Sequence, residues 1–196
     1  MKTLFVNACI RKESRTRMLA EYLLKKLDQD YVELELQKET IHPLDEESLN
    51  KRSQLCVEGK FDDPSFRYAR QFKEAETIVI AVPYYDLSFA ARLKDYLETI
   101  NVIGLTFHYL DDDVPSTLSS VKRLIYVTTA GGTIVSHEYG YGYVKAMFES
   151  FYEVKDHAYF YAEKLDLTGA DPDAILKETR DKIDIYLKQQ KKQKER

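Results

Sequence analysis

Five short β-like runs alternate with helical patterns along this chain, and that alternation restricts the fold more than any other feature. Thr77–Val82 is almost entirely apolar, as in a central strand, whereas Tyr31–Leu36 alternates like a strand near a sheet edge. Alternating strands and helices predict an α/β fold whose parallel sheet is covered by helices on both faces. The predicted strands are Thr3–Asn7, Tyr31–Leu36, Thr77–Val82, Arg123–Thr128 and Ala158–Ala162.

Apolar residues at helical spacing predict the helices between these strands. One stripe runs from Phe89 to Ile100, and Ser88 is placed to cap its start. Another follows Asp171 and Pro172, a capping residue and a proline that suit a first helical turn. The other predicted helices cover 15–27, 64–75 and 141–152.

Two longer segments depart from the alternation. Residues 38–62 are polar and are predicted as a long loop, and 104–120 are predicted as a small hairpin or flap. Connections of this length in a compact domain often shape a site.

Composition limits the class of protein. A length of 196 residues with 44% apolar content predicts a single domain over 1–196. The net charge of −4 favours neither nucleic acid nor an anionic membrane as a partner. The two cysteines, Cys9 and Cys56, are predicted to be free thiols. Because no apolar run reaches the roughly 18 residues of a membrane span, and the N-terminal run is too short for a signal peptide, we expect a cytoplasmic protein.

Glycine spacing excludes two common nucleotide-binding classes. The chain has seven glycines, none arranged as in a dinucleotide fingerprint or a phosphate loop that ends in Lys-Ser/Thr. A classical NAD domain and an NTPase are therefore disfavoured. Asp111–Asp113 lacks the ligand spacing of a calcium loop, and no metal site is predicted.

Ligands of doubly wound sheets bind beyond the carboxyl ends of the strands, so the loop after the first strand is a candidate site. It carries Arg11, Ser14, Arg15 and Thr16 and leads directly into a helix. A helix N-terminus with two hydroxyls and two guanidinium groups suits a phosphate monoester. The alternative is that Ser14 only caps the helix while both arginines face water.

Two further loops occupy equivalent positions. Pro83–Leu87 follows the third strand, where a rigid turn with tyrosine rings suits a flat heterocycle. Thr129–Gly132 follows the fourth strand, where adjacent glycines let backbone N–H groups approach a ligand. A plain turn and packed tyrosines are the alternatives, but all three loops lie at the same predicted edge of the sheet.

The order and spacing of several short motifs resemble those of the flavodoxin-like NAD(P)H dehydrogenase (quinone) and FMN-dependent azoreductase family over nearly the full length. The motifs are Ser14-Arg15-Thr16, Ala81-Val82-Pro83-Tyr84-Tyr85, Leu93-Lys94-Asp95-Tyr96, Gly104-Leu105-Thr106-Phe107-His108-Tyr109, Thr129-Ala130-Gly131-Gly132 and Tyr159-Phe160-Tyr161-Ala162-Glu163. The resemblance implies a flavodoxin-like three-layer sandwich with strand order 2-1-3-4-5. It also implies a homodimer with the flavin site at the interface.

The resemblance further implies an enzyme that uses FMN and passes reducing equivalents from NADH or NADPH to a quinone-like acceptor. If FMN is bound, we hypothesise a two-electron ping-pong cycle of hydride transfer. Ser14, Arg15 and Thr16 would hold the FMN phosphate, with Arg11 nearby. Pro83, Tyr84, Tyr85, Asp86 and Leu87 would line the isoalloxazine, and Thr129, Ala130, Gly131 and Gly132 would bond its pyrimidine side. Candidates to orient or protonate the acceptor are Tyr85, His137 and Tyr139, with Tyr141 as a further one.

The chain departs from the azoreductase pattern in two ways. Ala130 stands where azoreductases commonly carry arginine, and the histidine shortly after the glycine pair is absent unless His137 or His108 replaces it. Reduction of azo compounds is therefore left open. Two other classes also stay open: a flavodoxin-type electron carrier, although such carriers are usually shorter and more acidic, and a flavin-free ancillary subunit.

Overall fold

The computed structural model describes residues 2–194, so Met1, Glu195 and Arg196 of the predicted 1–196 domain lie outside the described residues. Its sheet has five parallel strands. Including two short antiparallel hairpins, the strands are β1 (Thr3–Asn7), β2 (Tyr31–Glu35), β3 (Thr77–Ala81), β4 (Tyr84–Tyr85), β5 (Ser88–Phe89), β6 (Phe107–Tyr109), β7 (Pro115–Thr117), β8 (Arg123–Thr129) and β9 (Asp156–Ala162).

The strand order of the large sheet is β2-β1-β3-β8-β9, which confirms the predicted order 2-1-3-4-5 once the two hairpins are left out of the count. Neighbouring strands begin level with one another, since Thr3 pairs with both Tyr31 and Thr77, and Arg123 pairs with both Thr77 and Asp156. Their carboxyl ends therefore lie at one edge of the sheet. β2 is an edge strand, as its alternation predicted.

Helices cover both faces of this sheet because successive strand residues point to opposite sides. Leu4 and Val6 join the core beneath the third, fourth and fifth helices, whereas Phe5 joins the core beneath the first and sixth. The helices are α1 (Arg15–Leu27), α2 (Glu46–Val57), α3 (Arg67–Lys73), α4 (Ala91–Ile100), α5 (Tyr143–Tyr152) and α6 (Pro172–Lys194). Within residues 2–194, no helix combines the length and apolarity that a membrane crossing requires.

Two predictions from the sequence are wrong in detail. Ser88 does not cap α4: it pairs in β5, its hydroxyl donates to the Tyr139 carbonyl, and the N-cap position falls on Ala90. The supposed loop at 38–62 contains α2, which begins with a reciprocal capping box between Asp45 and Ser48. No α2 side chain is buried, so the helix lacks the apolar stripe by which the others were recognised.

Several predicted element ends move by a few residues. β2 stops at Glu35 because a 3₁₀ turn begins at Leu36, and β9 begins at Asp156, two residues before the predicted start. Tyr141 lies in a single π-helical turn ahead of α5, and a 3₁₀ turn precedes α3. The flap at 104–120 is confirmed, because β6 and β7 form an antiparallel pair there. Asp171 also caps α6 as predicted, accepting from the N–H of Asp173 and Ala174.

Candidate functional site

The three loops singled out from the sequence meet in one cleft at the carboxyl ends of β1, β3 and β8. The level register of these strands brings the loops together. The cleft has a volume of about 190 Å³ and is lined by Arg11, Glu13, Ser14, Arg15, Thr16, Pro83, Tyr84, Tyr85, Thr129, Ala130, Gly131, Leu165 and Asp166. Ten of the fifteen proposed site residues are therefore in one place, and Asp86, Leu87, Gly132, His137 and Tyr139 are outside this lining.

Buried hydrogen bonds hold the loop after β1 against the sheet. The fully buried Asn7 side chain accepts a hydrogen bond from the Cys9 N–H (3.0 Å) and donates one to Glu33 of the edge strand (2.8 Å). The Cys9 thiol lies 3.6 Å from the Ala81 carbonyl, and burial raises the pKa of this thiol to about 11. Cys9 therefore stays protonated at neutral pH and is a packing residue, not a nucleophile.

The start of α1 offers donors to the cleft. Ser14 is the N-cap residue, and its hydroxyl accepts from the Arg17 N–H at 3.3 Å, so the capping alternative is correct as far as this contact goes. The same hydroxyl lines the cleft and is also within hydrogen-bonding reach of the Cys9 thiol. No acidic residue occupies the first turn of α1 to offset the positive end of the helix dipole. This end of the cleft suits an anion.

A buried hydroxyl pair connects two of the loops. Thr16 Oγ1 and Thr129 Oγ1 are 2.6 Å apart, joining the start of α1 to the end of β8. The exposed fraction is 0% for Thr16 and 9% for Thr129. Thr16 thus holds the cleft together through its side chain, and its contribution to a phosphate would come through its backbone N–H.

We expect Thr16→Val to lower the free energy of unfolding by about 1–3 kcal/mol, because it leaves the Thr129 hydroxyl buried without its partner. Adding Thr129→Val should recover most of that loss, since both polar groups are then replaced by groups of similar shape. Urea unfolding of the two single variants and the double variant measures this coupling. Additive losses in the double variant would contradict the hydrogen bond.

The loop after β3 is a tight hairpin. Tyr84 pairs with Phe89 and Tyr85 with Ser88, so that Asp86 and Leu87 alone form the turn. Both turn residues have positive φ, 45° and 70°, the pattern of a two-residue turn that usually contains glycine or asparagine. Leucine in this conformation is strained by about 1 kcal/mol or more. The strain lies beside the cleft, at the position proposed to contact the flavin ring.

The Thr129–Gly132 loop presents backbone donors. The Gly131 and Gly132 carbonyls accept from Asp166 N (2.9 Å) and Lys164 N (2.8 Å). Within residues 2–194, neither glycine N–H donates a hydrogen bond. The chain itself gives no reason for glycine at 132: its φ is outside the left-handed region, and a Cβ there would meet no heavy atom within 4 Å. This open glycine next to unpaired donors fits the close approach of a planar, acceptor-rich ligand.

A fourth loop, after β9, completes the cleft and was missed from the sequence. It contributes Leu165 and Asp166, and Asp166 Oδ1 forms an ion pair with Arg15 Nη2 at 2.6 Å. Only the position of this loop beyond the carboxyl end of a predicted strand could have suggested it. Glu13 was also passed over, although it belongs to the first loop.

The remaining candidates lie beside the cleft. His137 Nδ1 is 2.9 Å from the Tyr159 hydroxyl, and the Tyr159 ring stacks on Tyr141 with centroids 4.3 Å apart. Burial raises the pKa of Tyr159, which keeps its phenol protonated. Tyr139 is 59% exposed, and its carbonyl accepts from Ser88. The His137, Tyr141 and Tyr159 side chains form an aromatic cluster beside the loop after β8, whereas Tyr139 has no ring contact among residues 2–194.

Comparison with known proteins identifies the family to which the chain is similar. A family model described as flavodoxin-like fold matches residues 1–187. The chain is 33% identical to FMN-dependent NADH:quinone oxidoreductase 2 of Clostridium acetobutylicum, over 92% of this chain and 95% of the relative. It is 32% identical to the FMN-dependent NADH:quinone oxidoreductase of Lachnoclostridium phytofermentans, over 96% and 98% respectively.

Solved structures share the fold. An azoreductase from Bacillus anthracis superposes with a TM-score of 0.82 at 22% identity, covering 95% of this chain and 98% of that one. An FMN-dependent NADH-azoreductase from the same species, solved in complex with FMN, gives a TM-score of 0.79 at 21% identity, covering 96% and 98%. At these identities the similarity establishes the architecture.

Proposed function

The chain belongs to the flavodoxin-like fold family, which includes FMN-dependent NADH:quinone oxidoreductases, and we propose that it is an FMN-dependent enzyme that reduces quinones with NADH or NADPH. The relatives at 32–33% identity are named FMN-dependent NADH:quinone oxidoreductases and align over nearly the whole chain. Two-electron transfer would follow a ping-pong cycle, in which the oxidised nicotinamide leaves before the quinone binds.

The observation that carries this proposal is the convergence of a phosphate-type loop, a tyrosine hairpin and a paired-glycine loop in one cleft. The donor set suits FMN: two guanidinium groups, a hydroxyl and a helix N-terminus at one end, and unpaired backbone N–H groups at the other. Glycine-rich phosphate loops of nucleotide enzymes are replaced here by side-chain donors. Fold alone does not justify an activity, so the proposal depends on this arrangement of groups.

Each part of the cleft has a role in the proposal. Arg15, Arg11 and Ser14 bind the phosphate, and the rigid Pro83–Leu87 hairpin presents tyrosine surface to the ring. Gly131 and Gly132 direct N–H groups at the pyrimidine side, where negative charge is best stabilised by fixed dipoles. Bound FMN would supply the hydride chemistry itself, and the chain supplies position and electrostatics.

Three side chains are candidates to orient or protonate the quinone. Tyr85 lines the cleft, whereas His137 and Tyr139 lie on the adjacent loop. In the tautomer of His137 that carries its proton on Nε2, the Tyr159 hydroxyl donates to His137 Nδ1. His137 would then present a donor to an acceptor held at the mouth of the cleft.

Two copies of the chain would complete the enzyme. An apolar groove of about 540 Å³ lies between α2, α4 and the β6–β7 flap. Its rim includes Ile103, which is 54% exposed, and Tyr109, which is 47% exposed, and apolar surface of this kind commonly marks a protein interface. We propose a homodimer, with the flavin cleft at the interface as the family resemblance implies. Sedimentation equilibrium measures the mass directly, and a monomer at micromolar concentration would contradict it.

A cytoplasmic location is part of the proposal. Cys9 and Cys56 are both free thiols, and Cys56 is only half-buried. Thiols of this kind persist in a reducing compartment. Alkylation of Cys56 in intact cells and in lysates, followed by mass spectrometry, measures the fraction of Cys56 that is a free thiol in each sample.

The decisive experiment is an absorbance spectrum of the purified protein with FMN, followed by anaerobic addition of NADH or NADPH. We expect a yellow holoprotein that is bleached by at least one nucleotide and recovers its colour when a quinone is added. Bleaching that takes minutes instead of seconds would favour an electron carrier. Colourless protein after reconstitution would favour a flavin-free subunit and refute the proposed function.

A further inference from the structure

A carboxylate occupies the anion-binding end of the cleft. Asp166 Oδ1 is 2.6 Å from Arg15 Nη2, and a Cβ added to Gly131 would be only 2.3 Å from Asp166 Oδ2. The Asp166 side chain is 63% exposed and that of Arg15 is 38% exposed, so the pair lies at the rim of the cleft and not in its floor. A site that binds a dianion gains nothing from a fixed negative charge beside its arginine, so this contact requires an explanation.

The backbone places Asp166 there. Leu165 N and Asp166 N donate to the Ala130 and Gly131 carbonyls at 3.3 and 2.9 Å, and Lys164 N donates to the Gly132 carbonyl. Lys164 itself takes a left-handed conformation, with φ at 65°, to make the turn. Because the 164–166 segment is tied to the glycine loop along its length, the Asp166 side chain can turn away only by rotating about its own bonds.

The charges of the cleft are balanced without a ligand. Arg11 and Arg15 contribute two positive charges, and Glu13 and Asp166 contribute two negative ones. An ion pair as exposed as Arg15–Asp166 is weak and is exchanged easily, whereas a phosphate monoester offers the guanidinium more acceptor oxygens and up to two charges. A phosphate would therefore displace the carboxylate from Arg15 and then be repelled by it at short range.

We propose that Asp166 is an intramolecular counter-ion of the phosphate subsite: it pairs with Arg15 before FMN binds, gives Arg15 up to the FMN phosphate, and thereby weakens FMN binding to a level that permits exchange of the cofactor. The inference rests on the proposed function, because it assumes that the phosphate of FMN binds at Arg15. It assigns to Asp166 control of the preference for a phosphorylated flavin over an unphosphorylated one.

Asp166→Asn tests this inference, because it keeps the shape and removes the charge. The matched control is Asp181→Asn, which removes one negative charge from an exposed position on α6. Dissociation constants for FMN and for riboflavin are measured by quenching of flavin fluorescence, without any turnover. We expect Asp166→Asn to bind FMN about 3- to 30-fold more tightly than the wild type, with riboflavin affinity unchanged within about twofold. Asp181→Asn should change neither.

The outcomes separate the inference from the proposed function. If the wild type binds no FMN, both the counter-ion inference and the proposed function fail. If the wild type binds FMN and Asp166→Asn binds it equally or more weakly, the counter-ion role is overturned, because Asp166 would then be neutral or would hold Arg15 in place. An equal gain for FMN and riboflavin would also overturn it, since the carboxylate would then act on the ring and not on the phosphate. A melting curve of each variant verifies that the fold is intact.

Discussion

Replacing Arg15 with alanine should weaken FMN binding by about 10- to 100-fold and leave riboflavin affinity unchanged. A guanidinium–phosphate interaction is a charge-assisted hydrogen bond, and removing one typically costs about 1.5–3 kcal/mol. Arg15 is the first residue of α1 and lines the cleft, so it adds its charge to the positive end of the helix dipole. Fluorescence titration of apoprotein with both flavins measures the two affinities.

The control for this prediction is Lys177→Ala, which removes a positive charge from an exposed position on α6. It should leave both affinities unchanged. Stability should also change little in Arg15→Ala, because an exposed ion pair such as Arg15–Asp166 contributes only about 0–1 kcal/mol. Unchanged FMN affinity in Arg15→Ala would remove the phosphate assignment, and an equal loss for riboflavin would point to general damage of the cleft.

Replacing Gly132 should separate binding from folding. A Cβ at this position meets no heavy atom within 4 Å, and the backbone does not need the freedom of glycine. Gly132→Ala and Gly132→Val should therefore fold normally, and the alanine variant should gain up to about 1 kcal/mol because its unfolded chain loses entropy. FMN affinity should nevertheless fall progressively, by about tenfold or more for valine, as side-chain atoms occupy the space of the flavin edge.

Flavin titration and urea unfolding of the same preparations provide the two readouts. A loss of FMN affinity without a loss of stability would show that the space over Gly132 is reserved for a ligand. If Gly132→Val binds FMN as tightly as the wild type, the flavin does not approach this loop, and the assignment of its pyrimidine side fails. Gly131 is a poorer test, since a side chain there must first displace Asp166.

Local sequence patterns predict many of the strands and helices. The bounds of β1 and α1 agree with the prediction residue for residue, because a short apolar run that ends at Asn7 and an amphipathic helix after Ser14 are signals carried by neighbouring residues. The grouping of three loops was also predictable, since parallel strands that alternate with helices bring their carboxyl ends to one edge. Recognition of the family then added roles to residues whose positions were already expected.

Long-range contacts determine the rest. Thr16 and Thr129 are 113 residues apart in sequence, and Arg15 and Asp166 are 151 residues apart. No pattern among residues adjacent in sequence therefore predicts either contact. Ser88 would cap a helix by local propensity, yet pairing in the hairpin moves it into a strand. Local sequence specifies which elements form because it sets backbone preference and burial. Which side chains share the cleft, and whether a hydroxyl is free or already paired, depends on packing between distant segments, and only the folded chain decides it.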